Sequence, residues 1–234
     1  MGRLRIIFED KWLVVAYKPE GLATMSTAAR GHYDGQRREV TAYSLVFDMV
    51  RRRDPEARIF IVHRLDRETS GVVIFAKDQG TKNKLQENWE KSVLERGYDA
   101  VLEGVPSEPE GVITSWLYEN PRSLKVSSSP VETRGSKKAV TRYKVISRLA
   151  SRSDGRFTKS YSLVRFQLET GRKNQIRVHC AEVLGCPVAG DRKYGSVTSP
   201  HGRLCLNAST LRFIHPVTGE ELYFKSPVPK EWEK

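Results

Sequence analysis

Residues 59–76 read Ile59-Phe60-Ile61-Val62-His63-Arg64-Leu65-Asp66-Arg67-Glu68-Thr69-Ser70-Gly71-Val72-Val73-Ile74-Phe75-Ala76. The outer parts, Ile59 to Val62 and Val72 to Ala76, are short apolar runs rich in β-branched residues, the composition of buried strands. Between them stand nine residues with three potential cations, two carboxylates and two hydroxyls, more charge than a simple strand connection needs. Two readings fit: a solvated turn, or a functional loop centred on Asp66. In the second, arginine neighbours brought close by the fold would keep the carboxylate ionised, which suits a nucleophile or base and not a general acid. His63 taken alone reads as a satisfied structural histidine.

Outward from this segment the pattern is of short strands with few helices. Arg5 to Phe8 and Trp12 to Tyr17 form a hairpin across Glu9-Asp10-Lys11. The step Lys18-Pro19-Glu20-Gly21 ends it, Pro19 presetting φ and Gly21 freeing a tight turn. Residues 27–40 are polar and Gly-containing, a loop, and Tyr43, Val46, Phe47 and Val50 then recur at helical spacing up to Arg51. Leu85, Trp89 and Val93, four apart, predict one helix face after Asp78. Tyr98-Asp99-Ala100 belongs to a strand ending before Gly104, with Tyr98 near its start. Ser127, Ser128, Ser129 and Pro130 predict a loop and Val140 to Leu149 a strand, together a loop-strand insert. Val164, Phe166 and Leu168 alternate as a strand up to Thr170-Gly171. Ile176, Cys180, Val183 and Leu184 then mark an amphipathic helix stopped by Gly185 and Pro187. No repeat and no break in composition divides the chain, so the expectation is one α+β domain over residues 1–234, bilobed in form.

With 234 residues and 38% hydrophobic content, the chain can bury a sizeable core. Its 40 Lys and Arg against 28 Asp and Glu leave a net charge of +12, a field suited to a polyanion. Residues 122–159 hold eleven Lys or Arg and two acids, nine of those twelve net charges. This stretch and Arg51-Arg52-Arg53 are either solvated faces or contacts for an RNA backbone. The longest apolar runs fall far short of the ~20 residues that span a bilayer, so no membrane partner is expected. The N-terminal residues carry neither a signal-peptide apolar region nor a hydroxyl at the myristoylation spacing, which predicts a cytoplasmic protein. Cys180, Cys186 and Cys205 form no C-x-x-C pair and are odd in number; they are expected as reduced core residues. The five histidines show no ligand spacing, so no metal is expected. No Walker loop, G-x-G-x-x-G or G-x-S-x-G is present.

The segment His63 to Gly71 resembles the signature H-R-L-D-x-x-T-S-G of RluA-type pseudouridine synthases. The resemblance continues through Lys18-Pro19-Glu20-Gly21, Tyr98-Asp99-Ala100, Thr170-Gly171-Arg172 and Gln175-Ile176-Arg177. It ends with Gly190-Asp191, Tyr194-Gly195, and His215-Pro216 before Gly219. It implies the pseudouridine synthase fold, a central mixed, mostly antiparallel sheet with flanking helices and loops. The implied reaction is isomerisation of uridine within rRNA or tRNA: the bond from N1 to the ribose breaks, the uracil turns, and C5 takes its place. Such a rearrangement needs no cofactor.

By the same resemblance Asp66 is the catalytic carboxylate, attacking ribose C1′ or removing a ribose proton. Tyr98 is the active-site tyrosine that packs on the uracil and takes the C5 proton, and Arg177 is the basic partner of the aspartate. Ile176 is the aliphatic residue against the base, with plain core packing an equal alternative. A uracil must leave its stack to be turned, and Arg64 is the residue that fills the gap. His63, Arg67 and Thr69 count as substrate-binding with it. The resemblance covers the catalytic domain, without the small S4-like domain many relatives carry; nothing in the sequence bears on oligomeric state, and a monomer is the default expectation. Two positions depart from the family pattern: Asn174 and Asn207 stand where histidines are common. Asparagine keeps a donor and an acceptor but cannot titrate, so positioning survives there and proton transfer does not. These departures motivate the alternative, an RNA-binding or chaperone protein that kept the fold and lost catalysis.

Overall fold

The first apolar runs pair as the spacing predicts. In a computed structural model describing residues 3–26, 39–153 and 158–232, β1 (Arg5–Glu9) and β2 (Leu13–Lys18) form an antiparallel hairpin. The turn is closed by Asp10, whose Oδ1 accepts from the amides of Trp12 (2.7 Å) and Leu13 (2.6 Å). Most of the predicted loop at 27–40 lies outside the described residues. The chain re-enters at α1 (Ala42–Arg51), whose N-terminus is capped reciprocally: Thr41 accepts from the Ser44 amide and Ser44 from the Thr41 amide.

The two runs around the charged segment become strands of unequal length. β3 is only Phe60–Ile61, whereas β4 (Ser70–Ala76) is buried at every residue and pairs with both β2 and β3. A strand with both faces covered has no polar side to show, hence its unbroken apolar sequence. The predicted long helix is interrupted. α2 (Gln79–Glu87) stops at Asn88, a short α3 (Trp89–Ser92) follows, and Val93 already opens the next strand. The i, i+4 spacing misled there because strand pairing outweighs local periodicity in a β-branched residue.

Contacts divide the chain into two compact units, Met1–Ser92 with Phe213–Leu222, and Val93–Arg212 with Tyr223–Lys234. The second is built on a sheet of β5 (Val93–Glu103), β6 (Glu110–Glu119), β7 (Val126–Ser129), β8 (Lys137–Ser153), β9 (Thr158–Leu168) and β10 (Leu206–Ile214). Its order is β10-β5-β9-β8-β6-β7, and β11 (Glu221–Lys225) also pairs with β10. Tyr98 falls in the middle of β5, not near its start, because the strand begins five residues earlier than its alternation suggests. The presumed loop-strand insert is integral to the sheet: β8 lies between β6 and β9, and Ser127 to Ser129 are strand residues opposite Trp116 to Tyr118. Serines can form that edge because tertiary partners satisfy them. The Ser128 amide donates to Glu182 (2.7 Å) and its hydroxyl to Ser115 (2.8 Å).

One face of this sheet is covered by α4 (Gln175–Val178), which runs on as a π-helical turn over His179–Val183. Ile176 and Cys180 pack there with Phe166, Val164 and Leu102. All three cysteines are free and buried, as expected of core residues. His179 is fully buried between the hydroxyls of Ser115 (3.0 Å) and Thr141 (2.8 Å), and burial lowers its pKa to about 4. The native ring therefore stays neutral where an unfolded one, titrating near 6.5, takes up a proton. Stability is then lost as pH falls through that window. We expect a loss of about 2 kcal/mol between pH 7.5 and 5, read by urea denaturation and abolished in His179→Gln. An equal decline in the variant would assign the effect to other groups.

Candidate active site

The nine-residue segment is a loop between β3 and β4 whose backbone is held from both sides of Asp66. The Thr24 hydroxyl accepts from the Leu65 amide (3.1 Å) and donates to the Leu65 carbonyl (2.8 Å). Lys18, at the end of β2, is fully buried; its ammonium donates to the carbonyls of Pro19 (3.0 Å), Leu22 (2.7 Å) and Arg67 (3.1 Å). An ammonium has three donors, and these three carbonyls are among its partners. One cation thus ties the turn at Pro19 to Leu22, where Gly21 has φ +75°, onto the charged loop. The Thr69 amide closes the far side by donating to the Asp66 carbonyl (3.1 Å). Residues 65, 67 and 69 are each anchored by side chain or backbone, while the half-buried Asp66 side chain stands between them.

The other residues of this loop divide by environment. Arg64 is exposed. Arg67, also exposed, forms an ion pair with Glu39, and this bond with one from Ser26 holds the Glu39 carboxyl below its ordinary range. Thr69 has a buried side chain. His63 is engaged in the fold: its Nε2 accepts from the Ile74 amide (3.2 Å) and its ring lies 5.0 Å from that of Trp89.

Tyr98, Ile176 and Arg177 lie in the second unit. Tyr98 is half-buried opposite Phe166. Gly97 before it leaves room for Thr210, whose hydroxyl oxygen would stand 2.0 Å from an added Cβ. Ile176 is 4% exposed within the core, in keeping with the packing alternative. Arg177 is buried and grips Asp191 through two parallel bonds, Nε to Oδ2 (2.6 Å) and Nη2 to Oδ1 (2.8 Å). Such a fork fixes a guanidinium plane as a single contact cannot. Asn174 adds its Oδ1, 3.4 Å from Arg177 Nη1, and donates from Nδ2 to the Tyr194 hydroxyl (3.0 Å). Its φ of +54° is a conformation in which asparagine and histidine are both enriched, so the position accepts either residue. Asn207 is fully buried on β10, its amide 3.4 Å from the Ser226 hydroxyl.

Sequence reading gave no role to Asp191, Gln175 or Thr24. Gln175 locks the loop before α4, accepting from the Thr170 hydroxyl and Arg172 amide and donating to Val140 O and Thr141 Oγ1. The motifs Gly190-Asp191 and Gln175-Ile176-Arg177 flagged two of them. Thr24 carries no signal beyond its closeness to the Pro-Glu-Gly turn.

A family-wide sequence profile described as RNA pseudouridylate synthase matches residues 12–182. The chain belongs to this family; it is an RNA pseudouridine synthase of the RluA type, an isomerase. It is 35% identical to the RNA pseudouridine synthase YhcT of Bacillus subtilis, over 98% of this chain and 70% of that protein. It is 30% identical to tRNA pseudouridine synthase C of Vibrio parahaemolyticus, over 99% of this chain and 93% of the relative. Ribosomal large subunit pseudouridine synthase D of Zymomonas mobilis is 31% identical over 98% of this chain and 71% of its own length. Among solved structures, human RNA pseudouridylate synthase domain containing 4 superposes with a TM-score of 0.71 at 26% identity, over 96% of this chain and 88% of that one. No described helix is long and apolar enough to cross a membrane.

Proposed function

We propose that Asp66 carries the isomerisation of a uridine in rRNA or tRNA, and that residues 1–234 act as one catalytic domain, a cytoplasmic monomer. The observation that carries this reading is the double anchorage of the loop. Lys18 and Thr24 pin the backbone on either side of Asp66, so its carboxylate is presented without needing to be ordered when substrate arrives. Asp66 attacks ribose C1′ or removes a ribose proton; either route frees N1, and the turned base rejoins through C5. Tyr98 packs on the uracil and takes the C5 proton. Arg177, held by Asp191, is the basic group of the reaction, and Ile176 supports the base from the core. His63 and Thr69 shape the loop, and Arg67 is positioned by Glu39 at its rim.

The target uridine is extruded, which costs a few kcal/mol in a folded RNA, and the Arg64 guanidinium fills the vacated stack. Arg64→Ala is therefore expected to slow modification of a structured RNA about tenfold more than that of a short single strand, which has no stack to refill. Equal losses on the two substrates would contradict this role. The substrate class itself is tested by carbodiimide adduct mapping of total RNA from cells with and without the gene. Sites restored by the wild-type gene and not by Asp66→Asn would lie in rRNA or tRNA on this reading; sites confined to other RNAs would refute it.

A further inference from the structure

Beside Arg177 the second unit collects positive charge that the isomerisation does not use. The Tyr194 ring, 5% exposed, has Arg177 Cζ at 5.2 Å, Lys193 Nζ at 5.6 Å and Lys125 Nζ at 5.7 Å from its centroid. Measured through that common centre, no two of these cations are more than about 11 Å apart. Of the nearby carboxylates, Asp191 is bound to Arg177 and Glu119 to Lys173, and among the described residues neither Lys125 nor Lys193 has a carboxylate partner. Like charges gathered this way repel one another, and a bound anion would relieve that repulsion.

Their placement is also built. Among the described residues, Leu124 and Asn174 are the non-glycines with positive φ, both +54°, and both serve this cluster. The Leu124 carbonyl accepts from Lys193 Nζ (3.1 Å), at the turn that aims Lys125 at the ring. Asn174 and the Val126 amide both donate to the Tyr194 hydroxyl, at 3.0 and 3.2 Å, fixing the ring. Leu124 takes this conformation in the turn between β6 and β7, closed by its amide donating to the Asn120 carbonyl (2.8 Å) and the Asn120 amide to the Lys125 carbonyl (2.9 Å), so Lys125 leaves the turn from a fixed backbone.

We propose that Lys125 and Lys193, held around Tyr194 beside Arg177, form a docking site for backbone phosphate of the substrate RNA. The inference rests on the RNA-modifying reading and adds to it where the strand lies. Two ammonium point charges without carboxylates suit phosphate oxygens, and a fixed aromatic floor keeps both side chains from dispersing into solvent. Phosphate contacts position an RNA without reading its sequence, so this site sets strand placement and not the choice of uridine.

The test is binding of a fluorescein-labelled, uridine-containing RNA stem-loop, followed by anisotropy across a KCl series. Lys125→Gln with Lys193→Gln should lower the slope of log affinity against log salt by about 1.4 to 1.8, the effect of two lost phosphate contacts in loop or stem. Lys125→Arg with Lys193→Arg should keep the slope. Arg142→Gln with Lys144→Gln removes equal charge from β8, where each cation has its own carboxylate, and should change it far less. Equal slopes for the two Gln pairs would reduce the cluster to diffuse charge and overturn the proposal. A lower melting temperature of the Lys125/Lys193 Gln pair would overturn it too, by making the lysines structural. The slope reads binding alone, so a wild-type protein that binds but modifies nothing would count against the catalytic reading and leave this one standing.

Discussion

Asp66→Asn is expected to abolish pseudouridine formation while leaving RNA affinity within about twofold. The substitution keeps the shape of the side chain and removes the one property both candidate routes require, a carboxylate able to attack C1′ or accept a ribose proton. Loss of such a group costs on the order of 10²–10⁴-fold, and more if a covalent intermediate is involved. The loop should survive, because its anchors are the backbone atoms of Leu65, Arg67 and Asp66 itself, bonded to Thr24, Lys18 and Thr69. Single-turnover conversion of a substrate RNA, with affinity measured in parallel, checks both halves. Residual conversion near the wild-type rate would remove Asp66 from the chemistry.

Lys18→Met should have the second largest effect and act through position. Methionine fills much of the same volume, but the carbonyls of Pro19, Leu22 and Arg67 lose a buried donor. Buried acceptors left unsatisfied cost about 1–3 kcal/mol each, moderated where water enters, so a net loss of about 3 kcal/mol is expected in denaturant unfolding. Activity should fall further than stability explains. With Arg67 released, the Asp66 carboxylate shifts, and a displacement of about 1 Å is enough for a 10²-fold loss. The measurement is kcat at low temperature, where the variant is fully folded by circular dichroism. A normal kcat there would show that the ammonium serves the fold alone.

Much of the second unit's sheet was legible because it obeys local rules: Val164, Phe166 and Leu168 alternate, and β9 carries that alternation with Phe166 and Val164 inward. The same rules failed at Val93 and at Ser127 to Ser129, where partners far along the chain decide the outcome. Ser128 is a strand residue because Glu182 and Ser115 meet it, and no serine announces that in sequence. The site divides in the same way. Asp66, Arg64, Tyr98 and Arg177 stand in motifs that resemble those of the family, whereas Lys18 and Thr24 act at 49 and 41 residues' separation.

By itself the sequence determined the family signature around Asp66 and Arg177, with the reaction class that it implies, and a net charge of +12, since residue order and formal charge belong to the chain however it folds. Tertiary structure alone decided which groups hold those residues in place. Lys18 became a buried staple, Asp191 the fork under Arg177, and Lys125 with Lys193 a focused charge around Tyr194. Hydrogen bonds and ion pairs act over a few ångströms of space, and chain separation carries no record of that distance.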